Sequence, residues 1–551
     1  MTPEPAASAP LQRDALGDRS CAALLALVIV AGAILRFVGL RFGFPHPVAR
    51  PDEEVIVDTA LAVLRDPNPH FFDWPSLFIY VTAGAYAVLF AVERAAGGAI
   101  RHAAVAKAAF EPALHLVPRA LSAASGVLTI AALFGAAREM FSRRVAIVGA
   151  AFLAVAFLHV RDSHFGVTDV PATFMTVCAF WAALRCATRG ATDARVAIAG
   201  VLCGLAASTK YNAALVLLPA MAAVVQPPAP GSTRSIASDA RGLALLLVCA
   251  ACGFLAGTPY AVLDHQTFLD RVATVRSHLA GGHVLMTRGW PYHARFTLRY
   301  GLGIPLMAAA CAGAVWLIVQ RPRAAALVLV FPITYYVYLG SGQTVFVRYL
   351  LPMVPFVCLT AAFFVDRAAE AVARRTRVRG AGGVAVVALA CVLGAPTLRS
   401  SLLFDRLMIV EDSRVTGADW IVSHFPGGAS MYQSGYGAGH LQPQPLSRYP
   451  QYTFNEQLDR FEINHAAAVA PPDLIVLLES PLGPYSVVPP RVASLAADEY
   501  VQVAAFDSVP AERAADAVYD GEDAFFTPFG GIENAIRPGP NVRIFERRRS
   551  P

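Results

Sequence analysis

The chain has 551 residues, 56% hydrophobic and only 15% charged, with a mean hydropathy of +0.51. A soluble globular protein carries roughly a quarter charged residues, so that class is excluded. The net charge of +6 calls for no nucleic-acid partner, because arginines gathered in short loops between apolar runs account for it.

Residues 1–20 read as a polar, Pro/Ala-rich cytoplasmic tail. The apolar run that follows has no small-residue cleavage site before it and reads as an uncleaved start helix. Apolar runs then recur as far as Leu398 and predict a polytopic α-helical membrane protein of about eleven spans. They lie near 22–40, 117–137, 145–160, 170–188, 196–209, 211–225, 242–259, 297–319, 324–340, 347–366 and 382–398. Basic loops orient them. Arg367, Arg374, Arg375, Arg377 and Arg379 form the strongest, joined by Arg321 and Arg323, by Arg234 and Arg241, by Arg185, Arg189 and Arg195, and by Arg138, Arg143 and Arg144. All are expected on the cytoplasmic side.

With this orientation Asp52 and Asp169 share the outer face. The chain must then cross an odd number of times between Asp52 and Arg138. Ser76–Val92 is therefore expected as a re-entrant or surface-lying helix. The alternative is a true span paired with a return through Ala103–Leu116. The organisation that follows is a transmembrane domain at 21–400 with a large first outer loop at 41–116, and an extracytoplasmic α/β domain at 401–551. In the latter acidic residues outnumber basic ones, a helix is expected at Ser413–His424, capped by Ser413 and stopped by Pro426-Gly427-Gly428, and β-like runs stand at Leu474–Leu478, Tyr500–Phe506 and Val542–Phe545. All nine cysteines lie in or beside apolar runs, which argues against a disulfide framework, and Cys249-x-x-Cys252 has no further ligands nearby.

Three groups of residues can carry chemistry. The first outer loop holds Arg50-Pro51-Asp52-Glu53-Glu54, then Asn68-Pro69-His70 and Phe71-Phe72-Asp73-Trp74-Pro75-Ser76. Asp52 there is either a helix cap, with Glu53 and Glu54 favouring the macrodipole, or a general base whose pKa a low-dielectric boundary can raise. The second outer loop runs Arg161-Asp162-Ser163-His164 to Asp169-Val170-Pro171. Asp169 is again a cap or a functional acid, and a metal held by Asp169 and His164 is a further reading. Lys210 is one of only two lysines, with Lys107, in an arginine-rich chain, and it lies in a nearly uninterrupted apolar stretch. A compact ammonium there can meet a phosphate, or simply snorkel to the interface. Further outer cations and histidines follow at Arg271, Arg276, His278, His283, Arg288, His293 and Arg295, and at Arg348 beside Tyr349. No P-loop or dinucleotide fingerprint is present, so no nucleotide need bind.

The motifs RPDEE (50–54), NPHFFDWPSLFIY (68–80), RALSAASG (119–126), SHFGVTDVP (163–171), STKY (208–211), TPYAVLD (258–264) and RYLLPMVP (348–355) resemble, in their order, the GT-C membrane glycosyltransferases. SRVTGADWI (413–421) looks like the start of the outer domain in many bacterial members. The resemblance is to the branch of protein O-mannosyltransferases, the lipid A aminoarabinose transferase and bacterial lipid-carrier-dependent enzymes. It covers roughly residues 20–430. It implies an inverting transfer of sugar from a polyprenyl-phosphate donor to an acceptor hydroxyl on protein, lipid or glycan, at the outer face of a bacterial inner membrane. By the same resemblance Asp52 and Glu53 are the first-loop acid pair, with Asp52 the base, and Asp169 is the second-loop acid. Lys210 and Arg348 match positions near the lipid phosphate, and Tyr349, Arg119 and His293 are expected to help there. No cofactor is required, and a divalent metal stays open. Glu54 and Asp58 depart from the pattern by crowding the acid pair. The rival classes are a transporter or flippase of lipid-linked saccharides, and a scaffold whose acids are only helix caps.

Overall fold

The computed structural model describes residues 17–98, 102, 112–226, 235–281 and 288–548. Lys107, Arg234 and His283, and most of the Ala103–Leu116 return expected from sequence, lie outside these residues. The chain divides into two compact units, one of Met1–Phe37, Asp58–Gly98 and Val117–Ser401, the other of Val38–Val57, Ala99–Leu116 and Leu402–Pro551.

The first unit is a bundle of apolar helices. Among the described residues eight helices of the chain are long and apolar enough to cross a membrane, and two bent pairs raise the number to ten. The expectation from sequence is about eleven, beside these eight to ten. The runs expected as spans at 196–209 and 211–225 are the 17-residue helix Asp193–Thr209 and the shorter Tyr211–Val225. At 1.5 Å per residue, 17 residues reach only about 25 Å, short of a hydrocarbon core of about 30 Å. The segment at 76–92 is one unbroken 19-residue helix, Leu77–Ala95, with the length and hydropathy of a span, so it does not take the re-entrant form.

Small residues let helices approach closely. A Cβ on Gly204 would lie 2.0 Å from the Ala250 carbonyl oxygen, and one on Gly253 would lie 2.3 Å from that of Val201. Glycines thus seat Asp193–Thr209 against Ile236–Gly257, backbone on backbone.

The bend that matters most falls at Ala156, between Arg143–Val155 and Phe157–Ser163, where the axis turns by 56°. Backbone groups freed inside an apolar bundle must find partners within the protein. Here side chains supply them. Arg36, buried in the first helix, donates to the carbonyls of Leu153 and Ala154 at 2.9 Å each. Ser401 donates to the Val155 carbonyl at 3.0 Å, and the Phe157 amide donates to the Thr397 hydroxyl at 2.7 Å. Arg36 also lies 3.0 Å from Nδ1 of His159, so the second half-helix is held by the same guanidinium.

The second unit is built on a seven-stranded sheet. In chain order its strands are β1 (Met431–Gln433), β2 (Gln451–Asn455), β3 (Arg460–Ile463), β4 (Ala466–Ala467), β5 (Leu474–Glu479), β6 (Tyr500–Phe506) and β7 (Asn541–Arg547). The order across the sheet is β4-β3-β2-β1-β5-β7-β6, parallel from β2 through β1 to β5 and antiparallel elsewhere. The continuous apolar run of β5 is explained by burial on both faces. Leu474, Val476 and Leu478 pack with Ala418 and Ile421 of helix Ser413–His424, while Ile475 and Leu477 pack with Val492 and Ala496 of helix Pro490–Glu499. The helix at 413–424 stands where the sequence puts it, but its cap is different. Asp412 accepts from the Arg414 amide at 2.9 Å, and Ser413 is buried with its hydroxyl donating to the Pro540 carbonyl.

Replacing Arg36 by Met leaves the Leu153 and Ala154 carbonyls without this donor. The expected cost is about 3 kcal/mol or more, since each hydrogen bond to a charged group contributes about 1.5–3 kcal/mol. Thermal unfolding of the detergent-solubilised protein measures it.

Candidate functional site

In the second unit, residues 38–57 are folded onto the sheet domain by buried polar contacts. Arg50, fully buried, pairs with Asp523 at 2.8 Å and lies over the Phe525 ring. The His46 imidazole accepts from the Val48 amide, which leaves Nε2 to donate to the His440 carbonyl at 2.9 Å. Burial, aided by the Arg414 guanidinium, pushes His46 down to about 3 and keeps it neutral. Gly39 and Gly43 both adopt positive φ, and a Cβ on either would strike Met408 or Ala49, so the tight winding of this segment requires glycine there.

These anchors deliver Asp52, Glu53 and Glu54 at the start of helix Glu53–Ala62. Asp52 has φ of +76°, whereas a helix-capping residue ordinarily adopts extended backbone. A non-glycine residue held there costs about 1–3 kcal/mol, and such strain concentrates at functional sites. Glu53 is buried. The Glu54 Oε2 atom is buried with no hydrogen-bond partner among the described residues. Burial, and then the neighbouring Asp52 and Glu53 carboxylates, raise its pKa from 4.5 to about 7. Asp58 is exposed, so Glu54 is the residue that departs from a simple acid pair.

In the first unit the structure brings together three residues singled out from sequence. Asp169 is the first residue of helix Asp169–Arg189, whose N-cap position, Thr168, makes no side-chain capping bond. The buried Asp169 carboxylate forms an ion pair with Lys210, and the ammonium lies 5.0 Å from the centroid of the Tyr349 ring. Lys210 itself is an extended residue, φ −154° and ψ 128°, in the break between Asp193–Thr209 and the turn Tyr211–Val216. The snorkelling reading does not hold: the lysine side chain is only 13% exposed and is neutralised within the protein.

The surrounding motifs interlock. The Thr258 hydroxyl meets Ser208 Oγ at 2.7 Å and accepts from the Ser76 amide at 3.2 Å. The Tyr211 hydroxyl donates to the Phe72 carbonyl, and Asn68 donates to Asp264, each at 2.8 Å. Gly166 faces Pro118, leaving 2.9 Å for an added Cβ, and so seats 163–171 against the helix that carries Arg119. Arg119 and Arg348 are both buried, and the Arg348 guanidinium lies 4.5 Å from the centroid of the Phe346 ring. His293 is buried, with Nδ1 bonded to Thr297 and Nε2 unpartnered among the described residues. Arg271, Arg276, His278, Arg288 and Arg295 are exposed and stand apart from this cluster in character.

Asp169 is held by an ammonium, His164 Nδ1 bonds to the Val160 carbonyl at 2.9 Å, and no group of three His, Cys, Asp or Glu side chains that could hold a metal ion occurs among the described residues. Arg161 pairs with Asp162 at 3.1 Å, both buried, so that pair is internal rather than at the surface. Sequence reasoning missed Arg36, although a charge inside an apolar span is itself a signal. It also missed Thr258 as the junction of three motifs, and Asp523, which no local pattern marks.

Residues 114–255, which include Arg119, Asp169 and Lys210, match the family model of dolichyl-phosphate-mannose-protein mannosyltransferases. No curated protein sequence matches the chain. Among solved structures, apo ArnT from Cupriavidus metallidurans superposes with a TM-score of 0.54 at 16% identity, over 95% of this chain and 98% of that one. The same protein bound to undecaprenyl phosphate gives 0.53 at 15%, over 88% and 96%. The Archaeoglobus fulgidus oligosaccharyltransferase gives 0.50 at 14%, over 74% of this chain, which spans 59% of that one. At these identities the likeness is one of fold. The chain is a polytopic helical membrane protein with a C-terminal sheet domain, and the resemblance to GT-C glycosyltransferases is borne out by the matched segment and by that fold.

Between about pH 4.5 and 7 the folded chain holds a proton on Glu54 that the unfolded chain has released. Stability therefore falls as pH rises across that window. Glu54→Gln is expected to flatten this loss by one proton, as read from thermal unfolding at pH 5 and pH 8.

Proposed function

We propose that the chain is an inverting glycosyltransferase, moving one sugar from a polyprenyl-phosphate carrier to an acceptor hydroxyl at the outer face of a bacterial inner membrane. The observation that carries this reading is the largely enclosed Lys210 ammonium, paired with Asp169 inside the segment that matches the mannosyltransferase family and lying against the Tyr349 ring. An ammonium in an apolar bundle, on a fold shared with a protein solved with undecaprenyl phosphate, suits a single lipid-borne phosphate.

In this reading the acceptor oxygen attacks the anomeric carbon while the bond from that carbon to the phosphate oxygen breaks. The electron pair leaves with the phosphate, and the acceptor proton passes to the Asp52 carboxylate. Attack opposite the leaving group inverts the anomeric centre. Lys210 stabilises the charge that grows on the departing phosphate, with Arg348, Tyr349, Arg119 and His293 as further contacts. Glu53 supports Asp52, and Asp169 sets the position of Lys210. The carrier brings the sugar already activated, so no nucleotide enters the reaction. The strained backbone of Asp52 favours a working carboxylate over a helix cap. The flippase alternative gains no support, since none of the matches described is a transporter.

General-base catalysis contributes about 10²–10⁴-fold. Asp52→Asn is therefore expected to lose that much turnover of a polyprenyl-phosphate hexose, measured as release of polyprenyl phosphate, while the protein stays folded in detergent. Unchanged release would remove Asp52 from the mechanism, whereas a flippase or scaffold would release no polyprenyl phosphate even from the wild type.

A further inference from the structure

The sheet domain has a switch point that the proposed function leaves unused. Strands β2, β1 and β5 run parallel, with β1 between the other two. From β1 the chain passes through the short helix Pro443–Leu446 to β2 on one side. From β5 it passes through helix Pro490–Glu499 to β6 on the other side. The two connections also pack on opposite faces of the sheet, Leu446 with Leu474, Val476 and Leu478, and Val492 with Ile475 and Leu477. In α/β sheets, ligands bind outside the carboxyl ends of adjacent strands whose connections part in this way. Here those ends lead into two loops, 434–441 after β1 and 480–489 after β5.

The loops are held firmly. Gln433 accepts from the Leu441 amide at 2.8 Å and so closes the first loop, while Ser434 accepts from the Leu478 amide at 2.8 Å. A Cβ on Gly435 or Gly439 would lie 2.5 or 2.8 Å from the Tyr485 carbonyl oxygen, so the two loops meet backbone to backbone. Their polar backbone groups are spent in doing so. The Gly435 and Tyr436 amides donate to the Val487 and Tyr485 carbonyls, and the Ala438 and His440 carbonyls accept from Arg414 and His46. What the first loop presents outward is the Tyr436 ring, 72% exposed.

The chemistry of the loops selects a ligand. Neither carries Asp, Glu, Lys or Arg, and burial keeps His440 neutral. An anionic acceptor would call for a cation there, and an extended peptide for open backbone donors and acceptors. An aromatic face with one polar tip instead suits a neutral, hydroxyl-rich ring. The first loop is also tied to the acidic segment. His46 donates to the His440 carbonyl at 2.9 Å, and Arg414 reaches both the Ala438 carbonyl and, at 3.5 Å, that of Ala49. Asp52 follows Ala49 by three residues, at most about 11 Å of chain.

Resting on the function proposed above, we infer that the carboxyl ends of β1 and β5 form the acceptor subsite, that Tyr436 is its specificity-determining residue, and that the acceptor is a neutral oligosaccharide. An inner ring of the acceptor lies on the Tyr436 ring and leaves the terminal hydroxyl for Asp52.

For the test, the solubilised full chain, without donor, is applied to an array of neutral oligosaccharides, phosphorylated oligosaccharides and uncharged peptides. Binding to at least one neutral oligosaccharide is expected, and the tightest is then titrated by calorimetry. Tyr436→Ala should weaken that binding about 10-fold or more, through loss of the aromatic face and the area it buries. Tyr436→Trp keeps a face and should bind within about 3-fold of wild type. The melting temperature of Tyr436→Ala should stay level, since so exposed a ring contributes little to folding. Binding confined to phosphorylated sugars or peptides, no binding at all, unchanged affinity in Tyr436→Ala, or a large drop in its melting temperature would each overturn the inference. The proposed function is judged apart, by release of polyprenyl phosphate from the wild type. Binding without release sinks that function and the acceptor role with it, whereas release without binding sinks this inference alone.

Discussion

A bundle in lipid has no water to satisfy backbone groups released where a helix stops, so every interruption needs a partner from the protein. The first unit of this chain is arranged around that requirement. One such interruption is the 56° bend at Ala156, and Arg36, Thr397 and Ser401 answer it from the first and last helices of the unit. Without them the half-helix Phe157–Ser163 has no reason to leave the axis of Arg143–Val155. That departure carries the chain through His164 to Asp169, so the position of Asp169 depends on carbonyls met by an arginine of the first helix.

The same logic governs Lys210. A break between two helices exposes backbone, and here the break is also where the chain places an ammonium. Neutralising it with Asp169, rather than letting it reach the interface, keeps a charge available in a dry setting where electrostatic interactions are strong. The aromatic packing through Phe180, Phe356 and Phe331 gives this setting its rigidity. In the second unit the acidic segment is held in a comparable way, with Arg50 on Asp523 and a neutral His46 on the His440 carbonyl. The Asp169 carboxylate and the segment 50–54 are thus each held by charged or polar partners within the protein.

Much of this was legible in the sequence. Apolar runs marked the helices, because a residue that must face lipid or a dry core leaves a compositional trace that does not depend on its neighbours. The strand-like run Leu474–Leu478 and the helix Ser413–His424 were readable for the same reason, whereas the burial of that strand on both faces was not. Asp52, Asp169 and Lys210 stood out because charge is rare in so apolar a chain. Span counting is less direct. Asp193–Thr209 and Tyr211–Val225 have apolar composition but lack the length, and hydropathy does not distinguish a short buried helix from a crossing one.

What the sequence determined by itself was composition along the chain: which segments are apolar, which residues carry charge, and the order of motifs. Only the tertiary structure decided which of those residues meet. Ala156 is an apolar residue among apolar residues, and its bend exists because Arg36, Thr397 and Ser401, far away in the chain, can satisfy what the bend exposes. The pairing of Asp169 with Lys210 and the choice of Asp412 over Ser413 as a cap follow from the same cause. A hydrogen bond depends on distance and direction in space, and neither is written in the spacing of residues along a chain.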